Sequence, residues 1–321
     1  MTGRVILTTS PTFATVGDVA ARIDAAGFRL LRVLEPGPAL EAALACADYL
    51  VAGLIPVTSA TVKAAPKLRA VLKHGVGVDS IDIPASSAAG VAVTSAPGLN
   101  AQAVAEMALG AIFALSRNVV PGHLSVTSGG WDRRRGREVA GATLGIIGFG
   151  QIGRRLAGMA RGIGMDVIAY DPFPDHAAAG ALGVTLLSFD DVIARADAVS
   201  LHLAGGPDTV NLINAAVMDR MRPGAFLLNF ARGTIVDLDA LTGALTSGHL
   251  GGAAIDAYAT EPPDTAHPIF GAPNVLFSPH SGADTVQAIE RVSARVLDDI
   301  LALEAGGTPA SVLNPEALKK R

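Results

Sequence analysis

A glycine-rich turn follows directly on a short apolar run near the middle of the chain. Residues 144–147 read Leu-Gly-Ile-Ile, and residues 148–153 continue as Gly-Phe-Gly-Gln-Ile-Gly. In a GxGxxG pattern of this kind, Gly148 permits a tight turn, Gly150 lets the backbone approach a ligand, and Gly153 allows a helix to pack closely on the strand. The pattern therefore predicts a strand, a turn and a helix whose positive N-terminus can bind the pyrophosphate of a dinucleotide.

An acidic residue stands at the end of the next apolar run. Residues 167–170, Val-Ile-Ala-Tyr, are followed by Asp171, which lies 23 residues after Gly148. A carboxylate at this spacing can accept hydrogen bonds from the adenosine ribose and would repel a 2′-phosphate, which favours NAD over NADP. The alternative is a glycine turn that binds nothing, in which Asp171 serves only as a cap before Pro172.

Short apolar runs alternate with helical patterns along the whole chain, as in α/β folds with parallel sheets. Before the glycine turn, the predicted strands are residues 5–7, 28–34, 49–52, 68–72 and 91–94. After the Gly- and Arg-rich stretch at residues 128–137, the predicted strands are residues 143–147, 166–170, 198–201, 225–229, 252–256 and 275–277. Long helices are predicted over residues 101–117, which are apolar on more than one face, and 285–304. The pattern predicts two doubly wound parallel sheets, and residues 128–137 are predicted to be an exposed Gly- and Arg-rich loop.

Composition agrees with packed domains and excludes several functional classes. The 321 residues are 50% hydrophobic and carry a net charge of −4, which argues against a nucleic-acid or anionic-membrane partner. At roughly 150 residues per domain, the length predicts two domains. The single cysteine and scattered histidines predict no metal site. Neither a signal peptide nor a membrane span is evident, so we expect a soluble, cytoplasmic protein.

Three polar residues closely follow predicted strands, and ligands of open α/β sheets bind at the carboxyl ends of strands. They are Arg232, Glu261 and His280. A guanidinium can pair with a carboxylate, an imidazolium can protonate a forming alkoxide, and a carboxylate beside the imidazole favours its charged form. The set suits hydride transfer to a 2-oxo acid. Taken singly, each has an alternative: a structural salt bridge, a solvated turn residue and a packing histidine, respectively.

Ordered motifs at residues 73–79, 96–106, 148–153, 229–233, 256–262 and 280–285 complete the pattern. Through them the chain resembles the D-isomer-specific 2-hydroxyacid dehydrogenases over nearly its whole length. The resemblance implies a Rossmann NAD-binding domain, residues 99–286, inserted into a flavodoxin-like substrate domain of residues 1–98 and 287–321. It also implies a homodimer formed largely through the nucleotide-binding domain, and a small 2-oxo or 2-hydroxy acid as substrate.

The resemblance further implies residue roles. Arg232 would bind the substrate carboxylate and carbonyl, His280 would be the acid/base, and Glu261 would support His280. Backbone groups of Val76 and Gly77 would hold the substrate carboxylate. The residues that would line the cofactor are Gly148, Gly150, Gln151, Ile152, Gly153, Asp171, Phe230, Ala231, Arg232, Asp256, His280, Ser281, Gly282 and Ala283.

The sequence departs from the family at two places and leaves the substrate open. Ser80 replaces a common Asn, and residues 204–206, Ala-Gly-Gly, replace Pro-Leu-Thr. Lys73 and Arg133 could bind a substrate phosphate, as in phosphoglycerate dehydrogenases, but the Arg usual at the end of the third strand is absent. Trp131 either reaches a neighbouring subunit's active site, as in glyoxylate/hydroxypyruvate reductases, or anchors a dimer interface.

Two other functions compete with that of a 2-hydroxyacid dehydrogenase. The first is an NAD(H)-sensing co-repressor with the same fold, for which a complete set of Arg232, Glu261 and His280 would be superfluous. The second is formate oxidation, a branch in which an amide replaces the carboxylate beside the histidine; Glu261 counts against it.

Overall fold

The computed structural model describes residues 3–320, which form two compact units. One unit comprises the chain up to Asn100 together with the chain from Asp284 onwards, and the other is Ala101–Ala283.

Parallel strands make up a sheet in each unit. In chain order they are β1 (Val5–Thr8), β2 (Arg29–Arg32), β3 (Tyr49–Ala52), β4 (Ala70–Lys73), β5 (Ala92–Thr94), β6 (Thr143–Ile147), β7 (Asp166–Tyr170), β8 (Thr185–Leu186), β9 (Ala198–Leu201), β10 (Phe226–Asn229), β11 (Gly252–Ile255) and β12 (Val275–Phe277).

Helices connect the strands. In chain order they are α1 (Val19–Ala25), α2 (Pro38–Leu44), α3 (Ser59–Ala64), α4 (Ile83–Ala88), α5 (Ala101–Ser116), α6 (Val119–Thr127), α7 (Gln151–Gly162), α8 (His176–Leu182), α9 (Phe189–Arg195), α10 (Ala215–Met218), α11 (Leu238–Thr246) and α12 (Val286–Glu304).

The first unit holds a five-stranded sheet in the order β2-β1-β3-β4-β5, the order of flavodoxin-like folds. Strands β1, β3, β4 and β5 are buried throughout, as expected for parallel strands covered on both faces. Helix α12 packs on this sheet: Val296, Leu297 and Ile300 share a core with Ile6 and Tyr49. The C-terminal helix thus completes the unit that the N-terminal residues begin.

The second unit holds a seven-stranded sheet in the order β12-β11-β10-β9-β6-β7-β8. The strand order reverses between β6 and β9, and such a topological switch point is where a crevice forms for a dinucleotide. Helix α5 covers one face, where Ala108 and Ile112 share a core with Leu156 and Ala160 of α7. This packing explains why α5 is apolar on more than one face. The predicted fold class, two doubly wound parallel sheets, is confirmed.

Several predicted boundaries were wrong. Of the strand predicted over residues 28–34, only residues 29–32 form β2, because the pairing with β1 runs from Arg29 to Arg32. The long helix predicted over about residues 101–117 is confirmed as α5, which ends at Ser116; a separate helix, α6, was not predicted and begins at Val119 after the left-handed Asn118. Helix α6 contains Pro and Gly, and β8 has two residues, so neither gave a periodic signal.

Within residues 3–320, no single helix has the length and apolarity of a membrane span. Helices α5 and α6 have the length and apolarity of a span only when they are taken together, and the pair is bent by 61°. Half of α5 is buried in the core of its unit.

Candidate active site

The glycine turn after β6 has the geometry that a dinucleotide site requires. Gly148 has φ +100°, and a Cβ there would lie 2.6 Å from the carbonyl carbon of His202. At Gly153 a Cβ would lie 2.4 Å from the Gly148 oxygen, whereas at Gly150 it would meet no atom within 4 Å. Gly150 caps α7, so open space lies at the helix N-terminus, and the residues fit a pyrophosphate.

Asp171 follows β7 and faces this turn. Its carboxylate accepts hydrogen bonds from the amides of Phe149 (2.7 Å) and Phe173 (2.8 Å). Each carboxylate oxygen has a further lone pair, so the group can still accept hydrogen bonds from ribose hydroxyls. The backbone contacts fix the carboxylate next to the second residue of the GxGxxG turn.

Arg232 lies in a loop after β10 that buried groups hold in place. The side chain of Asn229 accepts a hydrogen bond from the amide of Ala231 (3.1 Å) and donates one to the carbonyl of Arg232 (2.9 Å). Gly233 permits close contact with the neighbouring loop, since a Cβ there would lie 2.0 Å from the carbonyl carbon of Tyr258. The loop of Arg232 therefore packs directly on the loop that leads to Glu261.

His280 lies in a loop after β12 that is held by a buried carboxylate. Asp256, 3% exposed, accepts hydrogen bonds from the Ser278 hydroxyl (2.6 Å) and from the amides of Ser281 and Gly282 (both 2.9 Å). His280 itself has φ +52°, a left-handed conformation that is rare outside glycine and concentrated at functional sites.

Glu261 and His280 form a hydrogen-bonded pair. The His280 Nδ1 atom lies 2.8 Å and 2.9 Å from the two carboxylate oxygens, and the Tyr258 amide donates to Glu261 Oε1 at 3.1 Å. Burial raises the pKa of Glu261. The hydrogen bonds from His280 and Tyr258 and the charges of His280 and Arg232 lower the pKa by more than burial raises it, so the net shift is downward. The carboxylate is thus kept ionised and remains an acceptor for His280 Nδ1.

The other predicted substrate residues lie in the first unit, at the end of β4. Lys73 is 9% exposed, and its ammonium donates a hydrogen bond to the carbonyl of Gly53. Val76 is 41% exposed and Gly77 lies in the same loop, whose Gly75 has φ +149°. The structure therefore brings Glu261 and His280 together and sets Arg232 beside them in the second unit; Lys73, Val76 and Gly77 belong to the first.

Loop 128–137 is exposed, as predicted, and Trp131 is 80% exposed. Arg133 lies in this loop. In the first unit, the carbonyl of Ser80 accepts a hydrogen bond from the amide of Val57. No group of three or more His, Cys, Asp or Glu side chains in the described part of the chain is placed to hold a metal ion.

Comparisons with known proteins identify the family. Residues 109–282, more than half of the chain, match the family model of the D-isomer specific 2-hydroxyacid dehydrogenase NAD-binding domain. The chain belongs to the D-isomer specific 2-hydroxyacid dehydrogenase family. The predicted family and the predicted cofactor, NAD, are thereby confirmed.

Curated relatives and solved structures resemble the chain over most of its length. D-3-phosphoglycerate dehydrogenase of Mycobacterium leprae is 40% identical over 277 residues, which are 85% of this chain and 52% of the relative. The chain thus spans about half the length of the curated relatives it matches. The TT0316 protein of Thermus thermophilus has a TM-score of 0.87 at 31% identity, covering 96% of this chain and 99% of its own. The pyruvate reductase of Chlamydomonas reinhardtii has a TM-score of 0.85 at 26% identity, covering 97% and 98%.

Sequence reasoning missed the residues that hold the loops of this 2-hydroxyacid dehydrogenase family member. Asn229, Tyr258 and Ser278 bond to the backbone or side chains around Arg232, Glu261 and His280. Asp256, which the resemblance places at the cofactor, also accepts hydrogen bonds from the His280 loop with both of its oxygens. A buried Asn or Asp at the end of an apolar strand was the available signal, because such groups must find partners.

Proposed function

We propose that the protein is an NAD-dependent D-2-hydroxyacid dehydrogenase that interconverts a small 2-oxo acid and its 2-hydroxy acid. The observation that carries this proposal is the Glu261–His280 pair, with 2.8 Å between His280 Nδ1 and the carboxylate. NAD binding is assigned to residues 99–286, and substrate binding to residues 1–98 with 287–321. The nicotinamide, when bound, supplies the hydride for reduction or accepts it in oxidation.

The residues of the chain handle the proton and the carboxylate. Because Glu261 occupies His280 Nδ1, Nε2 is the ring nitrogen that can donate a proton to the forming alkoxide. Glu261 stabilises the imidazolium before the transfer, and the neutral ring takes the proton back in the oxidation direction. Arg232 is suited to pair with the substrate carboxylate and to polarise its carbonyl, and the backbone of Val76 and Gly77 is the proposed second carboxylate site.

We propose hydroxypyruvate or glyoxylate as the oxidised substrate. A Cβ at Gly53 would lie 2.4 Å from the carbonyl oxygen of Thr9, so position 53, directly after β3, has no room for a cationic side chain. Lys73 is buried and bonded to the Gly53 carbonyl. A phosphate-bearing substrate is the second candidate, because the Mycobacterium leprae relative is named D-3-phosphoglycerate dehydrogenase. The acidic partner of His280 favours proton transfer over formate oxidation, and the complete pair is unneeded in an NAD(H)-sensing co-repressor.

The test is NADH oxidation with hydroxypyruvate, glyoxylate, phosphohydroxypyruvate and pyruvate, repeated with NADPH. We expect the highest kcat/KM with hydroxypyruvate or glyoxylate and NADH. A tenfold preference for phosphohydroxypyruvate would replace them with the phosphate-bearing substrate. His280→Ala should lower kcat by a hundredfold or more, with NADH affinity within about twofold of the parent protein. NADH binding without oxidation of any substrate would overturn the proposed activity and favour a sensor.

A further inference from the structure

Tyr258 contacts both loops that carry the acid/base pair. Its amide donates to Glu261 Oε1 at 3.1 Å. Its one hydroxyl hydrogen is donated to the carbonyl oxygen of Ser278 at 3.0 Å, and the carbonyl oxygen of Ile255 is a second, longer acceptor at 3.3 Å. Glu261 lies three residues after Tyr258, and His280 lies two residues after Ser278. One residue thus holds the carboxylate through its backbone and the histidine loop through its side chain.

The Ser278 carbonyl is the point at which this contact reaches His280. The same oxygen accepts the His280 amide at 3.0 Å, in the tight turn where His280 takes φ +52°. A left-handed non-glycine residue persists only where its surroundings fix it. Asp256 fixes the loop through the Ser278 hydroxyl, and Tyr258 fixes the carbonyl of the same residue.

The Tyr258 ring is itself anchored. It stacks on Phe270 with 6.4 Å between ring centroids and 21° between planes, and Phe270 packs on Phe277 of β12 at 4.7 Å. Burial, together with the charges of Asp256 and Glu261, raises the pKa of the Tyr258 hydroxyl, so the group stays protonated and remains a donor. The phenol can therefore hold the Ser278 carbonyl throughout the pH range of catalysis.

We infer that Tyr258 is a positioning residue for the Glu261–His280 pair, acting through its hydroxyl on the Ser278 carbonyl. It sets the separation of the two loops and so the hydrogen bond between the carboxylate and His280 Nδ1. The tests that measure activity rest on the proposed function. It assigns Tyr258 no contact with substrate or cofactor.

Tyr258→Phe is the direct test, because it removes one oxygen and keeps the stacked ring. We expect kcat for reduction to fall about fivefold, which corresponds to about 1 kcal/mol, with the KM for NADH unchanged. The midpoint of the pH–rate profile should move to lower pH, because a less well aligned carboxylate stabilises the imidazolium less.

Tyr49→Phe is the matched control. It removes the same atom from a phenol that is buried in the first unit, where it accepts a hydrogen bond from Arg69 and donates one to Glu304. This variant should lower the melting temperature and leave kcat and the pH profile unchanged. An equal loss of kcat in both variants would assign the effect to general destabilisation and overturn the inference.

NMR titration of the His280 ring separates this inference from the proposed activity. The His280 signal is identified by its disappearance in His280→Ala, and its titration midpoint is compared in the parent protein, Tyr258→Phe and Tyr49→Phe. We expect a lower midpoint in Tyr258→Phe alone. An unchanged midpoint would contradict the positioning role even if the protein reduces 2-oxo acids. If the protein reduces no 2-oxo acid but the midpoint is lowered in Tyr258→Phe, the positioning role is supported and the proposed activity is refuted.

Discussion

Arg232 and His280 are held by side chains that bond to loop backbone. Asn229 contacts the carbonyl of Arg232 and the amide of the residue before it, and Asp256 contacts two amides and a hydroxyl of the His280 loop. Both holding residues are 3% exposed, so a truncated partner would leave buried donors unsatisfied, at about 1–3 kcal/mol each. The proposed catalytic side chains thus lie on loops whose backbone is fixed by residues at the end of the sheet.

Gly205 lies against the Arg232 side chain in the loop that departs from the family pattern. A Cβ at Gly205 would lie 2.9 Å from Arg232 Cγ, near the base of a side chain that cannot easily move aside. We predict that Gly205→Ala displaces the guanidinium and raises the KM for the 2-oxo acid about tenfold, with NADH affinity unchanged. Steady-state kinetics with the preferred substrate measure the change.

The neighbouring glycine provides the control for that prediction. Gly206 has φ 172°, an extended conformation open to any residue, and a Cβ there would meet no atom within 4 Å. Gly206→Ala should therefore leave both the substrate KM and the NADH affinity unchanged. Equal KM values in the two variants would show that the space beside Arg232 has no role in substrate binding.

At the scale of elements, apolar runs predicted most strands, because parallel strands covered on both faces need continuous hydrophobic residues. The strand-end residues Arg232, Glu261 and His280 could be found for the same reason, since each follows such a run. Tyr258 could not, because its role depends on a hydroxyl that meets a carbonyl 20 residues away. Helix α6 also escaped prediction, because none of its residues is buried and no core-facing stripe marks it.

Helix α12 is joined to the first sheet by a partly buried histidine whose charge state depends on pH. His74 Nδ1 lies 2.9 Å from the Ser10 hydroxyl, and Nε2 lies 2.9 Å from the Ser293 hydroxyl of α12. Burial, with the charges of Lys73 and Arg32, lowers the pKa of His74 from 6.5 to about 4. The histidine is therefore neutral in the folded protein at pH values where the unfolded chain is protonated.

The depressed pKa predicts acid destabilisation of the first unit. The contribution of neutral His74 is fully present above pH 6.5 and is lost as pH falls towards 4, because the unfolded chain binds the extra proton. We expect His74→Asn to remove about 2 kcal/mol of the difference in unfolding free energy between pH 6.5 and pH 5. Urea unfolding at the two pH values measures it. His176→Asn, a change at an exposed histidine, should keep the full pH dependence, and the same dependence in both variants would contradict the prediction.

At the scale of the whole molecule, the second unit carries an exposed apolar surface, formed by α6 and the loop after it. Val119, Leu124, Val126 and Trp131 are 54%, 59%, 57% and 80% exposed. Exposed apolar patches of this kind mark interaction sites. We propose that a second copy of the chain covers this surface, since the family resemblance implies a dimer formed through the nucleotide-binding domain.

Leu124→Glu tests this assembly by placing a charge in the centre of the surface. Burying an unpaired carboxylate in an apolar interface is costly, so we expect the dimer dissociation constant to rise at least a hundredfold. Sedimentation velocity over a range of protein concentrations measures the change. Leu34→Glu, at a 41% exposed residue of the first unit, should leave the dimer intact. A parent protein that stays monomeric at micromolar concentration would refute the dimer, and the apolar surface would then need a partner of a different kind.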